Sequence, residues 1–385
     1  HLYPSRTERN RTAITMAVLV QFLLLIRKGY LMDKDTKRIK ERYYRLETIE
    51  LHCRIVTPMF LGGADQQAEW RSAPFKALLR NWWRVTRHNT PTFQKDTSEQ
   101  LREEESALFG FAGKSGDEEG GKSLVAVIVQ SETPPSDGSF PSGGEINHPE
   151  VNIPVDPLTY LAWGFMRGGR LQRNYFPPGT PFAITIRFPN GKRAEIADAV
   201  SFIQAFGTVG GRSRNGWGSF QVENGMIPTD KVLITLGHST FRWTDCFSKD
   251  YPNGLGMDAK PLLWKTGNAD SWNLAMKELA DVYVGVRARE VNGIKKLDPQ
   301  NGERHLLGIP LTRHSNAAFP KRYSSPLRFF VRKKKSKFSG YILHLPYLLT
   351  KGKGRPELEK QIEVWTKVHK KLDHLVSRAG YEECL

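Results

Sequence analysis

Residues Gly207 to Phe220 (GTVGGRSRNGWGSF) hold five glycines within twelve positions, with Arg212 and Arg214 among them and Trp217 near the end. Glycine lets the backbone take positive φ and lets another molecule approach closely. Two guanidiniums offer forked donors that match phosphate oxygens, and an indole offers a flat face. This combination, with Gly210 and Gly211 directly before Arg212, suits a phosphodiester backbone better than a small metabolite. The plainer alternative is a turn that joins a helix to a strand. Trp217, set between glycines, either stacks on a base or packs into the core. A second cationic set precedes the loop: Arg71, then Lys76, Arg80, Arg84 and Arg87 at i, i+4, i+8 and i+11 of a helical pattern. One helix face carrying them can track consecutive phosphates, and a helix N-terminus just after Arg71 attracts anions. The same stripe also reads as a solvated face beside Phe75, Leu79 and Trp82.

Composition points to the same class of partner. The chain has 385 residues, 57 Lys and Arg against 40 Asp and Glu, and a formal charge of +17. Such an excess is the electrostatic footprint of nucleic acid or an anionic surface. Cations stand beside rings in Trp82-Trp83-Arg84 and Arg328-Phe329-Phe330, as single-stranded RNA requires. At this length two compact domains are expected. The three cysteines, Cys53, Cys246 and Cys384, form no C-x-x-C pair, which argues for a reducing, cytoplasmic setting and against structural zinc.

Other motifs carry less. Gly116 to Ser123 (GDEEGGKS) spells a P-loop, but a loop precedes it, a strand follows it, and Asp117, Glu118 and Glu119 repel phosphate. Ser213 lacks the second glycine of a nucleophile elbow. Arg214 to Val222 echoes an RNA-recognition pattern out of register. His369 and His374, five apart on a helix, fall on different faces and read as solvated. No catalytic residue, metal or cofactor is expected. His52, His88, His305 and His314 are the histidines open to a general acid–base role, and none is singled out by a neighbour.

The elements that position these residues follow from periodicity. Tyr44–Val56 alternates as a strand. Ala73–His88 is a helix, with Pro74 in its first turn. Residues 90–123 read as acidic, glycine-rich and irregular, and the acidic 96–122 stretch either meets a basic partner or has no fixed fold. Strands are expected at Leu124–Gln130, Thr180–Phe188 and Gly218–Val222, with a helix at Ala194–Phe206. The second half offers strands at Val232–Leu236 and Phe241–Trp243 and a helix over Asp270–Val284. Strands at Leu327–Arg332 and Gly340–Leu345 flank a turn at Lys333–Lys337, and a last helix spans Pro356–Arg378. Strands mixed with single helices give an α+β fold of two tandem βαββαβ sandwiches with insertions. The N-terminal domain spans 32–228 and the C-terminal domain 229–385. Ala13–Ile26 is a 14-residue apolar run, too short to span a bilayer comfortably. Natural translation is expected to begin at Met32, with residues 1–31 outside the fold.

Taken in order, Thr57 to Asp65 (TPMFLGGAD), Arg71 to Arg84 (RSAPFKALLRNWWR), Gly210 to Gly218 and Arg322 to Leu327 (RYSSPL), with Leu343 to Pro346 after them, resemble the RAMP superfamily of CRISPR-associated proteins. Within it, the first subunit of type III-B effector complexes is the nearest likeness. The resemblance covers roughly residues 44–350. Ala77 departs from it, where many relatives carry Gly, and so does the apolar N-terminal run. It implies two ferredoxin-like, RNA-recognition-motif-like domains. It also implies a non-catalytic, RNA-binding place at the guide 3′ end of an antiviral ribonucleoprotein, with guide RNA, target RNA and the other subunits as partners and no membrane. The rival on the same fold is a guide-processing, metal-independent endoribonuclease. A generic RNA-binding scaffold is a third reading.

Overall fold

The computed structural model describes residues 46–63, 67–87, 98–113, 120–136, 138, 143–151, 153–167, 170–224, 227–308, 323–350 and 356–385. The expected start at Met32, the apolar run before it, His88, His314 and the acids at 117–119 lie outside them. The elements in order are β1 (Leu46–Ile55), α1 (Ser72–Arg87), α2 (Ser98–Phe109), β2 (Ala126–Gln130), α3 (Pro157–Leu161), β3 (Met166–Arg167), β4 (Arg170–Leu171), β5 (Pro181–Pro189), α4 (Arg193–Phe206) and β6 (Phe220–Asn224). After them come α5 (Thr229–His238), β7 (Thr240–Arg242), β8 (Leu255–Met257), β9 (Leu263–Lys265), α6 (Trp272–Ala288), β10 (Leu327–Lys334), β11 (Lys337–His344), α7 (Leu358–Leu375) and β12 (Ser377–Arg378).

The fold is mixed α/β with antiparallel sheets. One sheet has the order β2-β5-β1-β6 and another β10-β11-β9-β12. In both, the first strand in sequence lies between the third and the fourth. β1 shows why the sheet is one-sided: Ile49, Leu51, Cys53 and Ile55 are buried while Glu50, His52 and Arg54 are exposed, the period-2 pattern of a half-buried strand. α1 presents Phe75, Leu78, Leu79, Trp82 and Trp83 to that core at helical spacing. Trp82 then meets Phe202 and Phe206 of α4 at ring separations of 5.2 and 5.6 Å.

β10 and β11 are buried on both faces along most of their length. Phe330 points at the first half, where it meets Phe206 at 5.7 Å. Arg332, only 3% exposed, donates to the carbonyls of Ala205, Phe220 and Cys384 at 2.7, 3.1 and 3.2 Å. Burial without a carboxylate lowers its pKa to about 10. It acts as a cap on the end of α4, taking up carbonyls that a helix terminus leaves unpaired.

Several expectations are corrected. Val232–Leu236 belongs to the helix α5, with Val232 and Leu236 buried one turn apart. The stretch read as irregular contains α2. The turn between β10 and β11 narrows to Lys335 and Ser336, because the strands run on to Lys334 and begin again at Lys337. His369 is not on a solvated face. It is 4% exposed and lies 2.9 Å from His344, Nε2 to Nδ1. Trp365 stacks on His344 at 3.9 Å, and Trp243 meets His369 at 4.8 Å.

Burial, and then the Arg378 guanidinium, push His369 down to about 3, and burial holds His344 well below the usual imidazole range. Asp258 and Asp373 act in the other direction on His369 without reversing it. Both rings are therefore neutral in the fold, and the unfolded chain binds protons first as pH falls. The pair's contribution to stability is expected to be flat above about pH 6.5 and to drop below it, His369 alone removing about 2 kcal/mol at pH 5. Denaturant titrations at pH 7.5 and pH 5 check this. His369→Gln should flatten the acid limb, and an unaltered limb would exclude the pair as its source.

Candidate nucleic-acid interface

The glycine loop is a junction. Thr57, 0% exposed, donates its hydroxyl to the Gly216 carbonyl at 2.7 Å and accepts from Ser219 N at 2.9 Å. Gly211 N donates to Phe60 O at 2.8 Å and Gly218 N to Pro58 O at 2.9 Å, so the exit of β1 and the loop are laced together. Two glycines are required by this lacing. Gly210 has φ +94°, and a Cβ there would lie 2.5 Å from the Phe60 carbonyl oxygen. Gly218 has φ +64°, and its Cβ would overlap the Val209 carbonyl oxygen. Across the junction, Phe329 N donates to Arg214 O at 2.9 Å, and Arg214 Nη1 donates to Ser325 O at 2.7 Å. Asn215 Nδ2 donates to Leu161 O at the end of α3, 2.9 Å away.

This lacing assigns the loop's side chains different tasks. Trp217 takes the core role of the two open to it. It is 0% exposed and lies edge-on to Phe60 at 5.3 Å and to Trp272 at 6.1 Å. Arg214 is half-buried and spends donors on β10's entry. Arg212, held at φ +57°, turns outward to the surface.

The α1 stripe is divided in the same way. Glu105 of α2, 5% exposed, accepts from Arg80 Nε at 2.7 Å and from Arg84 Nε and Nη2 at 2.6 Å each. Burial pushes this carboxyl up, but the Arg84 and Arg80 guanidiniums hold it below its ordinary value. Arg87 pairs with Glu104 at 2.7 Å. Arg71 donates to Gly62 O at 2.7 Å. Lys76 has no carboxylate partner among the described residues, and partial burial and Arg80 lower its pKa. The acidic segment thus supplies the counter-ions of the cationic stripe from within the chain.

Arg212 has a neighbour that the sequence reading did not pick out. Arg173, at the end of the β3–β4 ribbon, stands over the Phe165 ring at 4.4 Å, with Arg212 over the same ring at 5.8 Å. Such cation–ring contacts are favourable but leave the charges uncompensated. Desolvation, and then Arg173 itself, lower the pKa of Arg212. Among the described residues no carboxylate pairs with either guanidinium. Gly164 adjoins them: a Cβ there would meet Arg212 Nη2 at 3.0 Å. The signal was present as Trp163-Gly164-Phe165 followed by a basic, glycine-rich run to Arg173. It lies in a stretch with no clear period, and the Asn215–Leu161 bond and the packing of Phe165 against Phe60 and Arg212 bring it to the loop.

His52 is exposed near Glu50, and His305 is buried. Among the described residues no group of three His, Cys, Asp or Glu side chains could hold a metal, and no helix is long and apolar enough to cross a membrane. All three cysteines are buried and unbridged.

Comparison with known proteins gives one family-model match. Residues 52–221 match the model of the RAMP superfamily. The chain is similar to the crystal structure of Cmr1 from Pyrococcus furiosus in its apo form, with 17% identity over 82% of this chain and 96% of that one and a TM-score of 0.43. It is similar to a chain of the type III-B Cmr-β complex bound to cognate target RNA, at 11% identity over 86% and 99%, TM-score 0.43. A chain of a type IV-B CRISPR complex matches at 17% identity over 48% and 96%, TM-score 0.27. No curated protein sequence matches.

Proposed function

We propose, from the match of residues 52–221 to the RAMP superfamily model, that this chain is a non-catalytic RNA-binding subunit of a type III-B CRISPR ribonucleoprotein. Its partners are guide RNA, target RNA and the other subunits of the complex, in the cytoplasm. The two sheets are read as two tandem ferredoxin-like domains meeting near residue 228. What supports this is that both sheets share one strand order, each with a helix after its first and its third strand.

The observation that carries RNA binding is the pair Arg173 and Arg212, two guanidiniums side by side at the surface with no carboxylate on either among the described residues. Two guanidiniums that share one ring repel each other, and a phosphodiester backbone would supply the missing counter-charge. Lys76 on α1 and Arg71 just before it are read as further phosphate contacts, while Gly210, Gly211, Arg214 and Trp217 hold Arg212 in place. Arg80 and Arg84 bind RNA only where Glu105 gives way.

Fluorescence anisotropy of the full chain with single-stranded RNA, duplex RNA and single-stranded DNA, across a salt series, tests the reading. Tight, salt-sensitive binding of single-stranded RNA that leaves the strand intact is expected. Replacing Arg173 and Arg212 together with Ala should weaken it at least about tenfold and reduce the log–log salt slope by about 1.4, two phosphate contacts on a single strand. Cleavage of the RNA without metal would favour the endoribonuclease instead. An unchanged slope would remove these two residues from the interface.

A further inference from the structure

We propose that Trp163 is a stacking platform for one unpaired nucleobase, with Arg173 and Arg212 on that nucleotide's backbone. This rests on the RNA-binding reading and narrows it to single-stranded RNA at this patch.

Eight of the nine tryptophans are buried or half-buried, and Trp163 is 59% exposed. A lone exposed apolar residue is ordinary on a protein surface, so exposure by itself says little. The surroundings say more. α3 begins at Asp156, whose carboxylate accepts from Thr159 N at 2.6 Å, and ends where Asn215 holds Leu161 O. Beyond it, Ala162 N bonds Leu158 O at 2.9 Å, Phe165 N bonds Ala162 O at 2.9 Å and Gln172 N bonds Phe165 O at 2.9 Å. The backbone is therefore pinned on both sides of Trp163, and the indole is carried outward on a fixed turn.

The next residue, Gly164, has φ +91° and leaves room for the Arg212 guanidinium beside it. Phe165, 8% exposed, is the floor on which both arginines rest. An exposed ring thus lies one residue from Gly164, which adjoins Arg212, and two residues from Phe165, over which both uncompensated cations stand. Nucleotides present that combination in reverse, a flat base joined to an anionic backbone. A duplex keeps its base faces stacked on one another, so only an unpaired base can use an open indole. An acidic, apolar protein segment would fit the same patch less well, because it offers no flat face to match the ring.

Full-length wild type, Trp163→Ala and Trp163→Phe are compared by anisotropy on a mixed-sequence twelve-nucleotide RNA and on a blunt RNA duplex, with thermal melting of each protein as the control. Loss of one stacked base corresponds to about 5- to 150-fold in affinity. Trp163→Ala should show a loss in that range on the single strand, Trp163→Phe a smaller one. Duplex binding, the salt slope and the melting temperature should not move. Wild-type binding of the single strand with no loss in Trp163→Ala overturns the platform and leaves the RNA reading standing, and so does an equal loss on the duplex. No RNA binding by the wild type overturns both.

Discussion

Trp217→Ala is expected to lower the unfolding free energy by about 3–5 kcal/mol, the cost of truncating a fully buried large aromatic side chain. The indole has no exposed surface and is wedged between Phe60 beyond β1 and Trp272 at the start of α6. Phe60, on one side of the cavity, is laced to the loop by a backbone bond from Gly211, which leaves little room for collapse. Since native proteins hold only about 5–15 kcal/mol in total, the variant should show a clearly lower denaturant midpoint. Trp217→Phe should recover part of the loss. A change below about 1 kcal/mol in the alanine variant would mean that the indole is not a structural wedge, and base stacking by Trp217 would be open again.

Glu105→Ala is expected to be the other severe substitution. It leaves the Arg80 and Arg84 guanidiniums facing each other without their common acceptor. Breaking a buried pair costs about 3–5 kcal/mol. Here both arginines are about one-third exposed, with side-chain exposures of 34% and 38%, so water screens part of the penalty and about 2–3 kcal/mol is expected. Equilibrium denaturation checks the magnitude. The same variant reports on the stripe: stronger RNA binding would assign Arg80 and Arg84 to phosphates once freed, and unchanged binding would assign them to α2 alone. A stability change within experimental error would show that the bridge contributes little beyond its solvated alternatives.

The contrast between these two sites explains what the sequence could and could not reveal. Patterns repeated every two or 3.6 residues were legible: β1, α1, α4, α6 and the β10–β11 pair all fall within a few residues of expectation. The run at 232–236 misled because its apolar residues are adjacent and partly β-branched, which resembles a strand. The feature that decides it is the one-turn spacing of Val232 and Leu236, with Ile234 on the open side at 55% exposure. α2 was hidden by its own composition, although Leu101, Leu108 and Phe109 fall on one helical face and are buried.

At the candidate site, the residue types were readable and their partners were not. Arg80 and Arg84 look free until Glu105, 25 and 21 positions away, is brought to them. Arg173 looks unremarkable until the loop draws Phe165 beneath it and Arg212. A local pattern records what a side chain can do. Only the fold records which of its opportunities is already taken.

The carbonyl cap provided by Arg332 has a consequence in time. Its acceptor at Phe220 lies 112 residues earlier in the chain. Ribosomes add about 5–20 residues per second, so roughly 6–20 seconds separate synthesis of the two ends of this contact. A first unit that folded in that interval would hold the last turn of α4 and the rim of its sheet without their cap, and Phe206 without Phe330. Such a nascent chain would expose an apolar, hydrogen-bond-hungry edge for that window, which is the moment at which a holding chaperone would matter most to this protein.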